Sequence, residues 1–326
     1  MIPNIIHFVF ISPLNFKIYH YLAILSAYFV HKPDKIYVYV DKEPHENIYW
    51  LCAKKYVTVE KITVSDYFRG EFIEFPQYKA DIIRLEKLIE RGGIYLDIDN
   101  LSLNSFHNLL IHDLVIGGSS GNLDDNRDQF SKDNIENLES VSNSIILATP
   151  DHPFLKKWYS IIHLYMGENY VWAYHAVALP TEILKRNKKY LEVVTILNWN
   201  KYFCPRGMWK DKPYIFDEKY VDKKSELDGY YTLVFYQTLF AEAYLKSLTF
   251  ESITRSNSIF SILFSKYLFM MGDFKEEILE LLLKMFNGKE WGSLKFNTLV
   301  FKNLLSDSDV ETGNIVEHFL NHVDLM

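Results

Sequence analysis

Ala80-Asp81-Ile82-Ile83-Arg84, followed by Gly92-Gly93-Ile94-Tyr95-Leu96-Asp97-Ile98-Asp99, decides how this chain folds. The first part sits in a helix that the spacing places over residues 76–91. Ile82, Leu85, Leu88 and Ile89 fall on one apolar stripe, and Lys79, Glu86, Lys87, Glu90 and Arg91 on the opposite face. Asp81 breaks the pattern, because it lies inside the apolar stripe with Arg84 at the stripe's edge. A carboxylate aimed at a core is costly unless it is paired or hydrogen-bonded. Asp81 is therefore either half of a buried ion pair with Arg84 or a group facing a polar ligand. Gly92-Gly93 suits a helix stop in the left-handed region. Ile94-Tyr95-Leu96 suits a short central strand. Asp97 and Asp99, two apart, then point to one side of extended chain. Two convergent carboxylates suit a hard divalent cation, Mn²⁺ or Mg²⁺. Asp99-Asn100 also suits an ordinary turn.

The rest of the chain alternates strand and helix. Strands are expected over 5–10, 36–40, 57–59, 114–117, 141–149, 193–197 and 229–235. Helices are expected over 17–30, 44–54, 76–91, 154–165 and 237–248. Asp41 ends the second strand as a turn residue. Residues 118–140, rich in Asp, Asn, Ser and Gly, read as a long surface loop, either a lid or acceptor loop near the site or a plain insertion. No Gly-x-Gly-x-x-Gly loop is present, which argues against a nicotinamide dehydrogenase. Residues 256–326 read as helices over 259–271, 275–286, 297–304 and 315–325, a C-terminal helical cap.

Ala80-Asp81-x-x-Arg84 with Gly92-Gly93-Ile94-Tyr95-Leu96-Asp97-x-Asp99 resembles the DXD-containing glycosyltransferases. This group takes in yeast initiating mannosyltransferases, Golgi α-galactosyl- and α-N-acetylglucosaminyltransferases and the large clostridial glucosylating toxins. The resemblance implies the GT-A fold, an α/β architecture whose Rossmann-like mixed sheet is flanked by helices. It also implies a nucleotide-sugar donor, expected to be UDP-linked, a divalent metal, and transfer mostly with retention. It runs over about residues 3–255, so the expected division is a catalytic domain over 1–255 and a helical cap over 256–326.

The same resemblance distributes roles. Asp97, Asp99, Asp81 and Arg84 form the implied catalytic set, with Asp97 and Asp99 on the metal. The opening strand implies donor contacts from His7, Phe8, Val9 and Phe10 through backbone groups; from the residues alone, His7 is an ordinary half-buried histidine. Asp81, Arg84, Tyr95, Asp97 and Asn143 complete the implied donor site, although Asn143 alone reads as a turn residue. Trp172 and His175 fall on the implied acceptor side. One position departs from the pattern: Leu233 stands where relatives carry a His that approaches the metal and diphosphate.

Composition sets outer bounds. The chain has 326 residues, of which 48% are hydrophobic and 16% aromatic, enough for one large α/β domain with an appendage. Its formal net charge of -7 and lack of a basic cluster argue against nucleic-acid binding. Cys52 and Cys204 form neither a disulfide framework nor a metal spacing, so a reducing compartment is expected. No basic leader and no spanning apolar run is read, and the chain is expected to be cytoplasmic. The expected partners are a nucleotide-sugar donor and a glycan, lipid-linked or protein acceptor. Two rival functions stand beside glycosyl transfer. One is a non-catalytic sugar-nucleotide or glycan-binding descendant, which the Leu233 departure allows. The other is a Mg²⁺-dependent phosphatase of the haloacid-dehalogenase type, against which Asn100 after the second Asp and the motif's late position both count.

Overall fold

The computed structural model describes residues 1–269 apart from 12–14, 46, 123, 167–170, 206–213 and 236–241. The helices expected over 275–286, 297–304 and 315–325, and the start of that over 237–248, lie outside the described residues. The strands are β1 Ile5–Phe10, β2 Lys35–Val40, β3 Thr58–Lys61, β4 Tyr67–Phe68, β5 Glu71–Phe72, β6 Gly93–Leu96, β7 Asn100–Ser102, β8 Leu114–Ser119, β9 Gln129–Phe130, β10 Ser140–Ala148, β11 Thr195–Asn198 and β12 Thr232–Val234. The α-helices are α1 Ile18–His31, α2 Ile48–Ala53, α3 Pro76–Arg91, α4 Pro153–Ile161, α5 Ala178–Arg186, α6 Trp199–Tyr202, α7 Glu242–Lys246, α8 Phe250–Arg255 and α9 Ile259–Phe269.

Eight strands form one mixed sheet in the order β3-β2-β1-β6-β10-β8-β11-β9. β1 pairs parallel with β2 and with β6, and β10 enters antiparallel between β6 and β8. Alternation along β1 divides the core in two. Ile6, Phe8 and Phe10 pack on one face, with α1, α2 and α9. Val9 packs on the other, with the apolar stripe of α3 and with α4. Within α3, Ile82, Leu85 and Leu88 are buried, each worth about 1.5–3 kcal/mol relative to exposure. The sheet is thus a layer between two helical layers, an α/β arrangement of GT-A type.

The topology fixes where a ligand can sit. From β1 the chain moves outward through β2 to β3, then returns across the sheet by way of α3 to place β6 on β1's other side. The strand order reverses between β1 and β6, and crevices of open α/β sheets lie beyond the carboxyl ends of strands at such a point. Asp97 and Asp99 follow β6 there.

The structure departs from the expected elements in several places. Asp97 to Asn100 form a turn, closed by the Asn100 amide donating to the Asp97 carbonyl at 3.0 Å, and not the extended chain expected to set Asp97 and Asp99 on one side. The helix expected over 44–54 begins only at Ile48, because the Asn47 side chain accepts from the Trp50 amide at 3.0 Å and caps it there. The stretch 118–140 is not a plain surface loop. β9 adds to the edge of the sheet, and Phe130, Ile135 and Leu138 are buried in the core on the α3 face. The strand expected over 229–235 shortens to β12 and leaves the central sheet: it pairs with β7 in a separate two-stranded ribbon, Leu233 opposite Leu101. Ala178–Arg186, with no element assigned from sequence, is helical. Helix α9 packs on α1, and Tyr21 Oη donates to the Tyr267 carbonyl at 3.3 Å. Among the described residues no helix is long and apolar enough to cross a membrane.

Candidate active site

At the switch point lies a cavity of about 580 Å³, within the range of small-molecule sites. Three elements build its polar wall. Helix α3 supplies Asp81 and Arg84, the end of β6 supplies Tyr95, Asp97 and Asp99, and β10 supplies Ser142, Asn143 and Ser144. The β10 residues reach it because the strand slips register: Ser142 pairs with Gly117, and the next paired residue, Ile146, with Ile116. The extra residues bulge outward, as bulges beside sites do.

Asp81 and Arg84 resolve the alternative posed by the sequence by doing both things: they pair, and they border the cavity. Arg84 Nη2 lies 2.9 Å from Asp81 Oδ1 and 3.2 Å from Asp97 Oδ1, so one nitrogen joins two carboxylates. Arg84 Nη1 donates to the Asn143 carbonyl at 2.5 Å. The guanidinium lies over the Tyr95 ring, 4.3 Å from its centroid. Asn143 returns the contact, its Nδ2 donating to Asp81 Oδ1 at 2.8 Å. His175 Nε2 holds the other oxygen, Asp81 Oδ2, at 2.7 Å. The Tyr95 hydroxyl donates to Asp97 Oδ1 at 2.8 Å. The result is a continuous polar chain: His175, Asp81, Arg84, Asp97, Tyr95.

Burial sets the charges in this chain. It opposes the Arg84 cation, but Asp97 first and the other carboxylates after it outweigh burial and hold the guanidinium charged. Burial pushes the Tyr95 hydroxyl well above its ordinary value, so it remains a donor. Burial, with Asp99 and Asp81 nearby, pushes the Asp97 carboxyl up to about 7, against Arg84 and the Tyr95 hydroxyl, which favour the ionised form. The Asp97 side chain is nevertheless 30% exposed, the open side of the group. Two carboxylates side by side at the cavity, one with an open face, suit a divalent cation between Asp97 and Asp99. No set of three or more His, Cys, Asp or Glu converges among the described residues. Among the described residues such a cation would thus take two carboxylates, its other positions being open to water and ligand oxygens.

The other residues singled out from sequence divide between the wall and the interior. Val9 and Trp172 border the cavity. Trp172 is 46% exposed, its ring fixed by Phe75 and Tyr78, each 5.2 Å away between centroids. Phe8 and Phe10 point into the core on the α1 face. His7 is fully buried. Its Nε2 donates to the Gly92 carbonyl at 2.7 Å and its Nδ1 accepts from the Tyr39 hydroxyl at 2.9 Å. His175 is also fully buried, behind the wall rather than on it. Leu233 is buried in the core. The ribbon residue that borders the cavity is its neighbour Val234. Sequence reasoning did not single out Ser140, Ser142, Ser144, Gly117, Ala176 or Trp199, all of which line the cavity. A cluster of serines interrupting an apolar strand was the one signal for the first three.

The chain thus joins an α/β fold of reversed strand order to an Asp-Arg-Asp cluster at the switch point. Residues 23–116 match the family described as "Glycosyltransferase sugar-binding region containing DXD motif", a window from α1 to β8 that includes Asp81, Arg84, Asp97 and Asp99. The resemblance to the DXD-containing glycosyltransferases is thereby borne out. The chain is similar to Glucan organizing enzyme 1 of Cryptococcus neoformans var. grubii, 25% identical over 269 residues, covering 80% of this chain and 69% of that one. Among solved structures it is similar to the PaToxG glycosyltransferase, with 18% identity, 57% of this chain and 69% of the other covered, and a TM-score of 0.38. It is also similar to the galactosyltransferase LgtC in complex with donor and acceptor sugar analogs, with 16% identity, coverage of 62% and 76%, and a TM-score of 0.35.

Proposed function

We propose that this chain is a metal-dependent glycosyltransferase. In this reading it moves a hexose or N-acetylhexosamine from a nucleotide sugar, UDP-linked by first choice, to an acceptor hydroxyl with retention of configuration. The observation that supports it is Arg84 shared between Asp81 and Asp97 on the wall of a cavity at the sheet's switch point. A departing nucleoside diphosphate develops negative charge and needs fixed positive charge close by. Asp97 and Asp99 would hold Mn²⁺ or Mg²⁺, which when bound supplies charge neutralisation at the diphosphate.

The chain's own residues do the rest. Arg84 keeps its charge in the buried wall and orients both Asp81 and Asp97. Asp81 retains lone pairs toward the cavity and accepts from sugar hydroxyls. Asn143 braces the sugar side. The acceptor attacks from the face the leaving group departs, and no side chain is assigned as a nucleophile. Trp172, rigid and half-exposed at the rim, offers an aromatic face for an acceptor sugar ring. The name of the Cryptococcus relative speaks for a glycan as the acceptor class to test first.

The test is a thermal-shift panel of UDP, GDP, UDP-glucose, UDP-galactose, UDP-N-acetylglucosamine and GDP-mannose, each with and without Mn²⁺. A metal-dependent rise with one donor is expected, by linkage of binding to stability. Asp99→Asn should melt near the wild type without ligand yet lose that rise and all sugar release. Wild-type turnover in this variant would end the metal assignment. A second reading, a sugar-nucleotide-binding protein without turnover, is favoured by the buried Leu233 in place of a polar contact. Tight nucleotide-sugar binding with no transfer and no donor hydrolysis would decide for it.

A further inference from the structure

We propose that His175 is a positioning residue of this site, acting through Asp81 on the sugar of the donor. The inference rests on the glycosyltransferase reading above and assigns a role within it.

The buried histidines His7, His31, His152 and His175 can be compared. His7 uses both ring nitrogens, on Gly92 and Tyr39. His31 also uses both, accepting from the Phe106 amide and donating to Ser102 Oγ. Both are satisfied as structural histidines are. His152 bonds the Val193 carbonyl through Nε2 at 3.1 Å and leaves Nδ1 without a hydrogen-bond partner among the described residues, so an orphaned nitrogen alone marks no role. His175 differs in its partner, a carboxylate on the cavity wall rather than a backbone carbonyl or a core hydroxyl. It is fully buried, its Nδ1 has no partner among the described residues, and its one side-chain hydrogen bond goes to Asp81. A carboxylate only accepts, so Nε2 carries the proton and donates. An orphaned nitrogen in a dry interior is unfavourable. A purely apolar side chain would avoid that penalty, so the bond to Asp81 is what the imidazole contributes.

The surroundings hold the ring to that one task. Trp158 Nε1 donates to the His175 carbonyl at 2.8 Å and fixes its backbone. The Tyr78 ring packs edgewise at 4.1 Å between centroids. With Oδ2 held by His175, Asp81 can turn only by breaking that bond, and Oδ1 stays between Arg84 and Asn143. Asp81 thus presents its remaining lone pairs to the cavity in one orientation. Freed from His175, the carboxylate can rotate about its Cβ–Cγ bond and pull Arg84 away from Asp97.

The experiment compares wild type, His175→Leu, His175→Gln and His175→Asn. Gln carries an amide nitrogen that can reach Asp81, whereas the shorter Asn cannot. Calorimetric titration with Mn²⁺ follows UDP and the UDP-sugar that stabilises the wild type. The Leu and Asn variants should weaken for the UDP-sugar by roughly tenfold or more while UDP stays within about twofold. The Gln variant should recover most of the loss. Equal loss of both ligands, or no loss of either, would overturn the proposal. If His175→Leu does not fold, the Gln and Asn pair gives the same comparison. A ligand-free crystal structure of the Asn variant supplies the independent readout. Asp81 is expected to have turned away from its wild-type orientation, and an unmoved Asp81 would overturn the proposal. If the wild type binds no nucleotide sugar, the glycosyltransferase reading falls, and the orientation of Asp81 still decides what His175 does.

Discussion

One atom of Arg84, Nη2, stands between Asp81 Oδ1 and Asp97 Oδ1, joining helix α3 to the end of strand β6. The arrangement makes Arg84 a structural link between the two elements as well as part of the cavity wall. Its side chain is 6% exposed. Removing one partner from a buried ionic cluster leaves uncompensated charge, a loss of about 3–5 kcal/mol. Arg84→Met should therefore lower the unfolding free energy from urea titration by an amount in that range, eased in part because Asp97 can take up a proton. Arg84→Lys should fall between, since a single ammonium cannot reach both carboxylates and the Asn143 carbonyl together. A Met variant as stable as the wild type would show the cluster to be energetically neutral.

Gly93 starts β6 at φ +105, and a Cβ there would lie 2.6 Å from the Ile5 carbonyl oxygen and 2.9 Å from His7 Nε2. Gly93→Ala meets both a backbone conformation closed to L side chains and a collision with the neighbouring strand. A loss of at least about 1–3 kcal/mol is expected. Gly70 provides the control. It lies at φ +92 with nothing within 4 Å of its notional Cβ, so Gly70→Ala carries the conformational part alone. Urea unfolding of both variants separates the two contributions. If Gly93→Ala loses no more than Gly70→Ala, the close approach of β1 and β6 is not what requires glycine.

Much of this was legible in the sequence, for identifiable reasons. The helix over 76–91 and the opening strand over 5–10 match the structure at both ends because the helix keeps an apolar stripe at helical spacing and the strand is one short apolar run. Asp81 showed itself as a residue of the cavity wall because it stood in an apolar stripe, and the chemical reasons for that are pairing or a ligand. The serines of β10 were not legible as wall residues. They reach the cavity through a register slip, and a slip depends on what the neighbouring strands do, not on local pattern. The role of His175 was illegible for a similar reason: its partner lies 94 positions earlier, and only the packed fold brings them together. The strand expected over 229–235 misled in its placement. An apolar run fits a ribbon on the flank as well as the central sheet, and β7 was too short to announce itself as its partner.

His31 makes a prediction about acid. Burial lowers its pKa to about 3, and burial first among several causes lowers that of His7 to about 4, both from an ordinary 6.5. The neutral forms are what the fold holds. The His31 Nδ1 accepts from the Phe106 amide at 3.3 Å, a bond that a protonated ring cannot keep. With the folded value depressed, the unfolded chain binds the proton more readily. The stabilisation is then fully present above pH 6.5 and is lost as pH falls toward 4 for His7 and 3 for His31. Each group contributes at most about 1.4 kcal/mol per pH unit across its window. His31→Gln should be less stable than the wild type at pH 7 and lose less on acidification. Urea midpoints at pH 7, 5.5 and 4.5 should show the gap between the two proteins closing as pH falls. Carboxylates titrate in both proteins and cancel in the difference, so a gap that stays constant would mean that His31 is not the buried neutral group that its two hydrogen bonds make it.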